Sequence, residues 1–206
     1  MRRALISDFG GVLTSPLQEG FLAYQEESGV SLADLGLAMA RATEEHGEHP
    51  LFVLERGEIS ESEFRARIEP HLQDGFDLTR LRTLYFEQME PNRAMIEFVR
   101  EVRGPALRTA LLTNNVREWE PLWRAKLPEI DELFEVVVDS AFVGMRKPDP
   151  AIYELTLERL GVAAVESVFV DDLEANCDTA RSLGMSVVRF ERAEQAIPEV
   201  RSALAD

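Results

Sequence analysis

The sequence contains a single cysteine, Cys177, among its 206 residues. One cysteine cannot form an internal disulfide, so a disulfide-stapled secreted scaffold is excluded, and we expect this residue to be a small packing side chain. Long hydrophobic runs are missing too, because no stretch approaches the ~18 apolar residues that a membrane span needs. The apolar stretch behind Arg2 and Arg3 ends at Ser7 and Asp8, too early for a signal peptide. The sequence therefore predicts a soluble, cytoplasmic protein.

Positive charge is scarce. The chain has 22 lysines and arginines against 38 aspartates and glutamates, which gives a formal net charge of −16. Such a surface repels phosphate backbones and anionic membranes, so we expect neither nucleic acid nor lipid as a partner. The length suits one core domain with an insertion, and 45% hydrophobic residues suffice to bury a core. Nothing in the sequence indicates an oligomeric state.

Five apolar, partly β-branched runs predict strands at residues 3–8, 108–114, 133–140, 167–172 and 186–190. Their hydrophobicity is continuous rather than alternating, which is typical of parallel strands that are covered on both faces. Helical patterns separate the strands from residue 108 onward. The clearest is "PDPAIYELTLERLG", in which Asp149 can cap the N-terminus, Pro150 takes the first helical position and Gly161 can close the helix. This alternation predicts an α/β fold with a doubly wound, mainly parallel sheet.

A long segment between the first two predicted strands has little strand character. Ser60 and Glu63 have the spacing of a capping box, and "DLTRLRTLYFEQM" carries apolar residues at helical periodicity. We therefore predict a helical insertion over residues 15–90. Residues 1–14 and 91–206 would form the core, and the segment at 91–103 would be the helix that returns to it.

Polar residues follow several of the predicted strands. In open α/β sheets, ligands bind beyond the carboxyl ends of the strands. Any one such residue is compatible with an ordinary turn, but three carboxylates, a hydroxyl, an amide and an ammonium group would share one edge here. These residues are Asp8, Thr113, Asn114, Lys147, Asp171 and Asp172.

Four stretches that contain these residues resemble, in order, the motifs of the haloacid dehalogenase-like hydrolase superfamily: "SDFGGVLT", "LLTNN", "RKPDPAIYELTLERLG" and "FVDDLEANCDTARSLGM". The local style is nearest to the subgroup with the phosphatase domain of soluble epoxide hydrolase and bacterial sugar-1-phosphate phosphatases. The resemblance covers nearly the whole core. It implies a Rossmann-like sheet, a helical cap inserted after the first strand, and a Mg²⁺-dependent phosphatase that acts on a small phosphorylated substrate.

The resemblance also implies roles for individual residues. Asp8 would be the nucleophile and form an aspartyl-phosphate, which divides one difficult displacement into two easier ones. Mg²⁺ prefers oxygen ligands, and those implied are Asp8, the carbonyl of Gly10, Asp172 and, through a water molecule, Asp171. Thr113 and Lys147 would act on the phosphate during catalysis. The implied phosphate-binding groups are those of Gly10, Gly11, Thr113, Asn114 and Lys147.

Gly10 departs from the family pattern. Most phosphatases of this superfamily have a second aspartate two positions after the nucleophile, and it protonates the leaving oxygen. General acid–base help is worth about 10²–10⁴ in rate. A phosphatase with Gly10 would need an undemanding leaving group, or an acid from the cap, the substrate or water. The carbonyl of Gly10 remains available to a metal.

Other functions are compatible with Gly10. A 2-haloacid dehalogenase needs no second acid, because halide leaves without a proton, but it has no use for the cation that the Asp171–Asp172 pair suggests. A non-catalytic or regulatory module is disfavoured by the intact Asp8 and Lys147. A mutase would depend on the missing acid in both directions. The sequence does not identify the substrate.

Overall fold

The computed structural model describes residues 2–72 and 77–206, without the side chains of residues 17 and 18. Residues 73–76 of the predicted insertion therefore lie outside the described residues. Within the described chain, five strands form one sheet in the order β3-β2-β1-β4-β5, and every neighbouring pair is parallel. The strands are β1 (Ala4–Ser7), β2 (Arg108–Thr113), β3 (Val136–Asp139), β4 (Ser167–Asp171) and β5 (Ser186–Arg189). The α/β class and the parallel sheet predicted from the sequence are confirmed.

Helices make up most of the remaining described chain. Between β1 and β2 lie α1 (Leu17–Ser28), α2 (Leu32–His46), α3 (Pro50–Glu55), α4 (Glu61–Ile68), α5 (Leu78–Gln88) and α6 (Arg93–Val102). After β2 come α7 (Glu120–Lys126) and α8 (Ile130–Leu133), and β3 is followed by α9 (Ser140–Val143) and α10 (Pro150–Leu160). The last two are α11 (Glu174–Ser182) and α12 (Ala193–Ala205). No described helix is both long and apolar enough to cross a bilayer.

The start predicted for the third strand at residue 133 was wrong. Leu133 ends α8, and Phe134 N donates to the Ile130 carbonyl at 2.9 Å, so the strand begins only at Val136. A short apolar run is compatible with a helix end and with a buried strand. It is too short to show whether apolar residues recur with the period of a helix or of a strand. The other four strands lie inside their predicted ranges and end within one residue of them.

The predicted helix caps are present. Ser60 and Glu63 form a reciprocal capping box at the start of α4. Asp149 accepts a hydrogen bond from Ala151 N at 2.9 Å, and Gly161 closes α10 in the left-handed conformation, with φ of 64°. These short-range contacts fix where the helices begin and end, and hence which loops reach the edge of the sheet.

Helices cover both faces of the sheet. On one face, Leu5, Leu111 and Val170 belong to an apolar cluster with α6 and α12. On the other, Ile6 and Phe169 pack with side chains of α10 and α11. Burial on both faces explains why the strands are continuously hydrophobic. A third cluster lies among helices α1 to α5.

The helical insertion leaves and rejoins the sheet at one place. Thr14 and Pro91 form an antiparallel bridge, and Ser15 N donates to the Glu90 carbonyl at 2.8 Å. Asn92 N donates to the Leu13 carbonyl at 2.8 Å. The two connections therefore run side by side directly after β1. The division into a core and a cap stays a prediction.

Candidate active site

An acidic cluster lies at the carboxyl edge of the sheet. Asp8 directly follows β1, Asp171 ends the neighbouring strand β4, and Asp172 comes next. One carboxylate oxygen from each of the three lies within 4.8 Å of the others. Asp8 N donates to the Val170 carbonyl at 2.9 Å, which extends the pairing of the two strands into the site. Adjacent parallel strands thus bring together carboxylates that lie far apart in the sequence.

Lys147 completes this cluster. Its Nζ lies 2.8 Å from Asp8 Oδ1 and 2.6 Å from Asp171 Oδ2, and its side chain is only 1% exposed. A buried ammonium group needs such partners, because removing it from water is costly. Burial opposes the charge, but the carboxylates of Asp171 and Asp8 hold the pKa of Lys147 above its usual value. Lys147 is therefore charged at neutral pH.

The side chain of Asn114 holds the backbone of Lys147. Its Nδ2 donates to the Lys147 carbonyl at 2.9 Å, and Lys147 N donates to its Oδ1 at 2.8 Å. This pair of bonds ties the end of β2 to the loop after α9. The amide of Asn114 is thus engaged within the protein, which leaves its backbone N–H as the group for a ligand. Thr113 Oγ1 contacts only the Asn114 carbonyl at a long 3.4 Å, so this hydroxyl retains donor capacity.

Asp171 is saturated with hydrogen bonds. Its Oδ1 accepts from Leu173 N and Asn176 Nδ2, both at 2.9 Å. Its Oδ2 accepts from Lys147 Nζ at 2.6 Å and Asn176 Nδ2 at 3.1 Å. A carboxylate has about four lone-pair sites, so Asp171 keeps little capacity to bind a metal directly. Its contacts make it the anchor of Lys147, and the water-mediated role implied by the resemblance stays a prediction.

Asn176 is a site residue that the sequence reasoning missed. It lies in the first turn of α11, five residues after Asp171, and is 4% exposed. The sequence feature that could have identified it is an asparagine shortly after Asp171 and Asp172, the two aspartates at the end of a predicted strand. Cys177, predicted to be a packing residue, is fully buried beside it, and that prediction is confirmed.

Asp8 has one engaged and one free oxygen. Phe9 N donates to Oδ1 at 2.7 Å, and the Lys147 contact also reaches Oδ1. Oδ2 makes no hydrogen bond with the described residues. Burial raises the pKa of Asp8 to about 7, opposed by Lys147 and assisted by Asp171. Three carboxylates face one ammonium group, so negative charge is in excess whenever more than one of the carboxylates is ionised.

The two glycines after Asp8 serve different purposes. Gly11 has φ of 82°, and a Cβ there would lie 2.6 Å from Asp172 Oδ2, so the turn needs a residue without a side chain. A Cβ on Gly10 would have no heavy atom within 4 Å. Gly10 therefore borders open space where a side chain would fit.

The insertion contacts the loop that carries Lys147. Arg146 Nε lies 2.7 Å from Glu55 Oε2 of α3, and the Arg146 guanidinium lies 4.0 Å from the centre of the Phe52 ring. Burial raises the pKa of Glu55, although the charge of Arg146 opposes it. A partly buried ion pair thus joins α3 to the residue before the site lysine.

A parallel open sheet with an acidic, lysine-linked site beyond its carboxyl edge is typical of α/β enzymes that bind ligands there. The model of the haloacid dehalogenase-like hydrolase family matches residues 2–184, and the chain belongs to this family. The chain is therefore a member of a family of hydrolases.

Relatives and solved structures agree with this assignment. The chain is 28% identical over 195 residues to sesquiterpene phosphatase astK of Aspergillus oryzae, covering 89% of this chain and 87% of that protein. It is 24% identical over 212 residues to bifunctional epoxide hydrolase 2 of Rattus norvegicus, covering 96% of this chain. The chain spans only 19% to 38% of the length of two of the curated relatives it matches.

The fold is shared with a HAD family enzyme of Bacteroides thetaiotaomicron that was solved in complex with magnesium and inorganic phosphate. The TM-score is 0.67 at 22% identity, and the match covers 93% of this chain and 95% of that one.

Proposed function

We propose that the protein is a Mg²⁺-dependent phosphatase that hydrolyses a small phosphorylated metabolite through an aspartyl-phosphate at Asp8. The observation that carries this proposal is the buried Asp8–Lys147–Asp171 network with Asp172 beside it. The similarity to a named phosphatase over most of both chains supports the same reaction class.

Asp8 would attack phosphorus through Oδ2, the oxygen left without a hydrogen bond. Oδ1 is held by Phe9 N and Lys147 Nζ, so the carboxylate is fixed in orientation before substrate arrives. The compact charge of Lys147 offsets the repulsion between two anions. Water would then hydrolyse the aspartyl-phosphate and restore Asp8.

The donor set fits a hard divalent cation. Carboxylate and carbonyl oxygens suit Mg²⁺, and the cluster carries unbalanced negative charge. Asp8, Asp172 and the carbonyl of Gly10 would hold the ion. When bound, Mg²⁺ neutralises charge on the phosphate and on these carboxylates.

The remaining groups would bind phosphate oxygens by hydrogen bonds. The Thr113 hydroxyl retains donor capacity, and the backbone N–H groups of Gly10, Gly11 and Asn114 follow the ends of β1 and β2. The helical insertion, residues 15–90, would act as the cap that selects the substrate, and the Glu55–Arg146 contact joins it to the site loop.

The test measures phosphate release from aryl and alkyl phosphates with Mg²⁺ and with excess chelator, and halide release from 2-haloacids in parallel. We expect phosphate release that needs the cation, and its loss in Asp8→Asn with the circular dichroism spectrum unchanged. Asp131→Asn, the same change at an exposed residue paired with Arg124, is the control. Halide release that persists in chelator would replace the proposal with a dehalogenase. No turnover of either substrate class would point to a non-catalytic module.

A further inference from the structure

Tyr85 of α5 lies where the insertion meets the loop that carries the nucleophile. Its neighbours Leu81 and Leu84 pack within the cluster of the insertion. Tyr85 instead belongs to the core cluster that includes Phe9, the residue directly after Asp8, and Leu13. The Tyr85 ring therefore packs on the core side of the insertion, in the cluster that also holds the residue next to Asp8.

The position of the Tyr85 ring is tightly fixed. A Cβ on Gly20 of α1 would lie 2.7 Å from Tyr85 Cα and 2.9 Å from its Cδ2, so α1 packs directly against it. The Trp119 ring lies on another side, with 5.8 Å between ring centroids. A ring held this way loses little further freedom when its hydroxyl binds a ligand.

The Tyr85 hydroxyl has no hydrogen-bond partner within the part of the chain that is described, although the residue is only 9% exposed. The hydroxyl oxygen itself is not enclosed, because it keeps contact with solvent, so a ligand can reach it. Burial raises the pKa of Tyr85, and the nearby charge of Asp8 raises it further. The phenol is therefore a neutral donor at neutral pH, and it lies within the electrostatic reach of the nucleophile.

The open space beside Gly10 is the second feature that bears on the role of Tyr85. The family places its proton-donating aspartate at this position, and here the space beside the backbone is open. The departing part of a substrate that is attacked by Asp8 can occupy that space. No side chain of residue 10 is present to protonate it.

On the basis of the phosphatase function proposed above, we propose that Tyr85 hydrogen-bonds the leaving-group oxygen of the substrate and supplies its proton, the task for which Gly10 has no side chain.

Both halves of the reaction conserve atoms and electrons. Asp8 Oδ2 forms a bond to phosphorus while the ester P–O bond breaks, and its electron pair goes to the leaving oxygen, which takes the proton of Tyr85. In the second half, the oxygen of a water molecule bonds to phosphorus and one water proton returns to the Tyr85 phenolate. The bond from Asp8 to phosphorus breaks, and its electron pair restores the carboxylate. The sum is one ester and one water converted to one alcohol and one phosphate.

The proposal predicts which substrates depend on Tyr85. An alkoxide is about as basic as hydroxide, whose conjugate acid has a pKa of about 15.7, so it takes a proton from tyrosine readily. A phenolate leaving group gains little, since its basicity is no greater than that of tyrosine. Alkyl phosphates should therefore need Tyr85, and aryl phosphates should not.

The experiment compares phenyl phosphate with benzyl phosphate, two esters of similar size whose leaving groups differ in basicity. We expect Tyr85→Phe to lower kcat/KM for benzyl phosphate about 10²-fold or more and to change that for phenyl phosphate less than about threefold. Because the hydroxyl has no partner, the urea midpoint of this variant should stay unchanged. Gly10→Asp in the Tyr85→Phe background should restore part of the benzyl phosphate activity.

Tyr24→Phe is the matched control. Tyr24 is another buried tyrosine of the insertion, and its hydroxyl accepts from Asp77 N at 2.7 Å. This variant should lower the urea midpoint but leave the benzyl-to-phenyl ratio unchanged. An unchanged ratio in active Tyr85→Phe, or an equal fall for both esters, would overturn the role of Tyr85 alone. A wild-type protein that cleaves neither ester with Mg²⁺ would overturn the phosphatase function and this role together.

Discussion

Replacing Asp139 by asparagine tests how burial acts on a carboxylate outside the acidic cluster of the candidate site. Asp139 ends β3 and caps α9, and its Oδ1 accepts from Ala141 N at 3.0 Å. Its Oδ2 is buried and has no hydrogen-bond partner among the described residues. Burial raises the pKa of Asp139 to about 6 from an ordinary value of 3.8, although the bond from Ala141 N opposes the rise. Asparagine keeps the accepting oxygen and removes the charge.

The direction and size of the pH effect on stability follow from the difference between the folded-state and ordinary pKa values of Asp139. Because the folded state binds the proton more tightly, protonated Asp139 contributes stability that is complete below about pH 4 and is lost as the pH rises through about 6. The difference between the folded-state pKa of about 6 and the ordinary value of 3.8 corresponds to about 3 kcal/mol in the free energy of unfolding. Roughly half of this, on the order of 1.5 kcal/mol, is lost between about pH 5 and about pH 8.

Urea unfolding of wild type and Asp139→Asn across that range is the assay. It starts above the sequence pI of 4.6, where the net charge vanishes. The free energy of unfolding of the variant minus that of wild type should grow by about 1.5 kcal/mol toward high pH. Asp149→Asn makes the same change at an exposed helix cap and should give a flat difference. A flat difference for Asp139→Asn as well would refute the claim that burial perturbs this carboxylate.

Two further pairs of variants test the packing around the site. Gly11→Ala should lower the free energy of unfolding by about 1–3 kcal/mol, because its φ of 82° is strained for alanine and the new methyl group would meet Asp172. Gly10→Ala, with open space beside it, should lower it by less than about 0.5 kcal/mol, and equal losses in thermal unfolding would contradict this reading. Glu55→Gln, which removes the charge, and Arg146→Met, which leaves Glu55 without its partner, should each cost about 1–2 kcal/mol because the pair is only partly buried. Their double variant should cost less than the sum in a double-mutant cycle, whereas strict additivity would show that the pair is not coupled.

Local patterns in the sequence predicted much of the fold. The Asp149–Pro150 start and the Gly161 end of α10 depend on contacts a few residues apart, so the sequence alone specifies them. The convergence of Asp8 and Asp171 followed from the rule that parallel strands meet at one edge. The predicted start of β3 at residue 133 was wrong because Leu133 belongs to a helix that is too short to show helical periodicity in the sequence.

Other parts of the site depend on tertiary geometry that no short-range pattern encodes. Phosphate binding by Asn114 stays a prediction for its backbone N–H, whereas its side chain binds the backbone of Lys147, thirty-three residues later. Asn176 was not predicted to be a site residue, because its hydrogen bond to Asp171 becomes apparent only once α11 is placed against β4. The exposure and contacts of Tyr85 follow from the packing of α1 against α5.

The junction at Thr14 and Pro91 has an evolutionary consequence. A segment whose two ends are hydrogen-bonded neighbours can lengthen, shorten or be exchanged with little cost in loop closure and without shifting the register of any strand. On the function proposed above, exchange of this one segment would change the substrate and leave in place the strand ends that hold Asp8 and Asp171. Specificity and bond-breaking chemistry could then diversify on separate timescales.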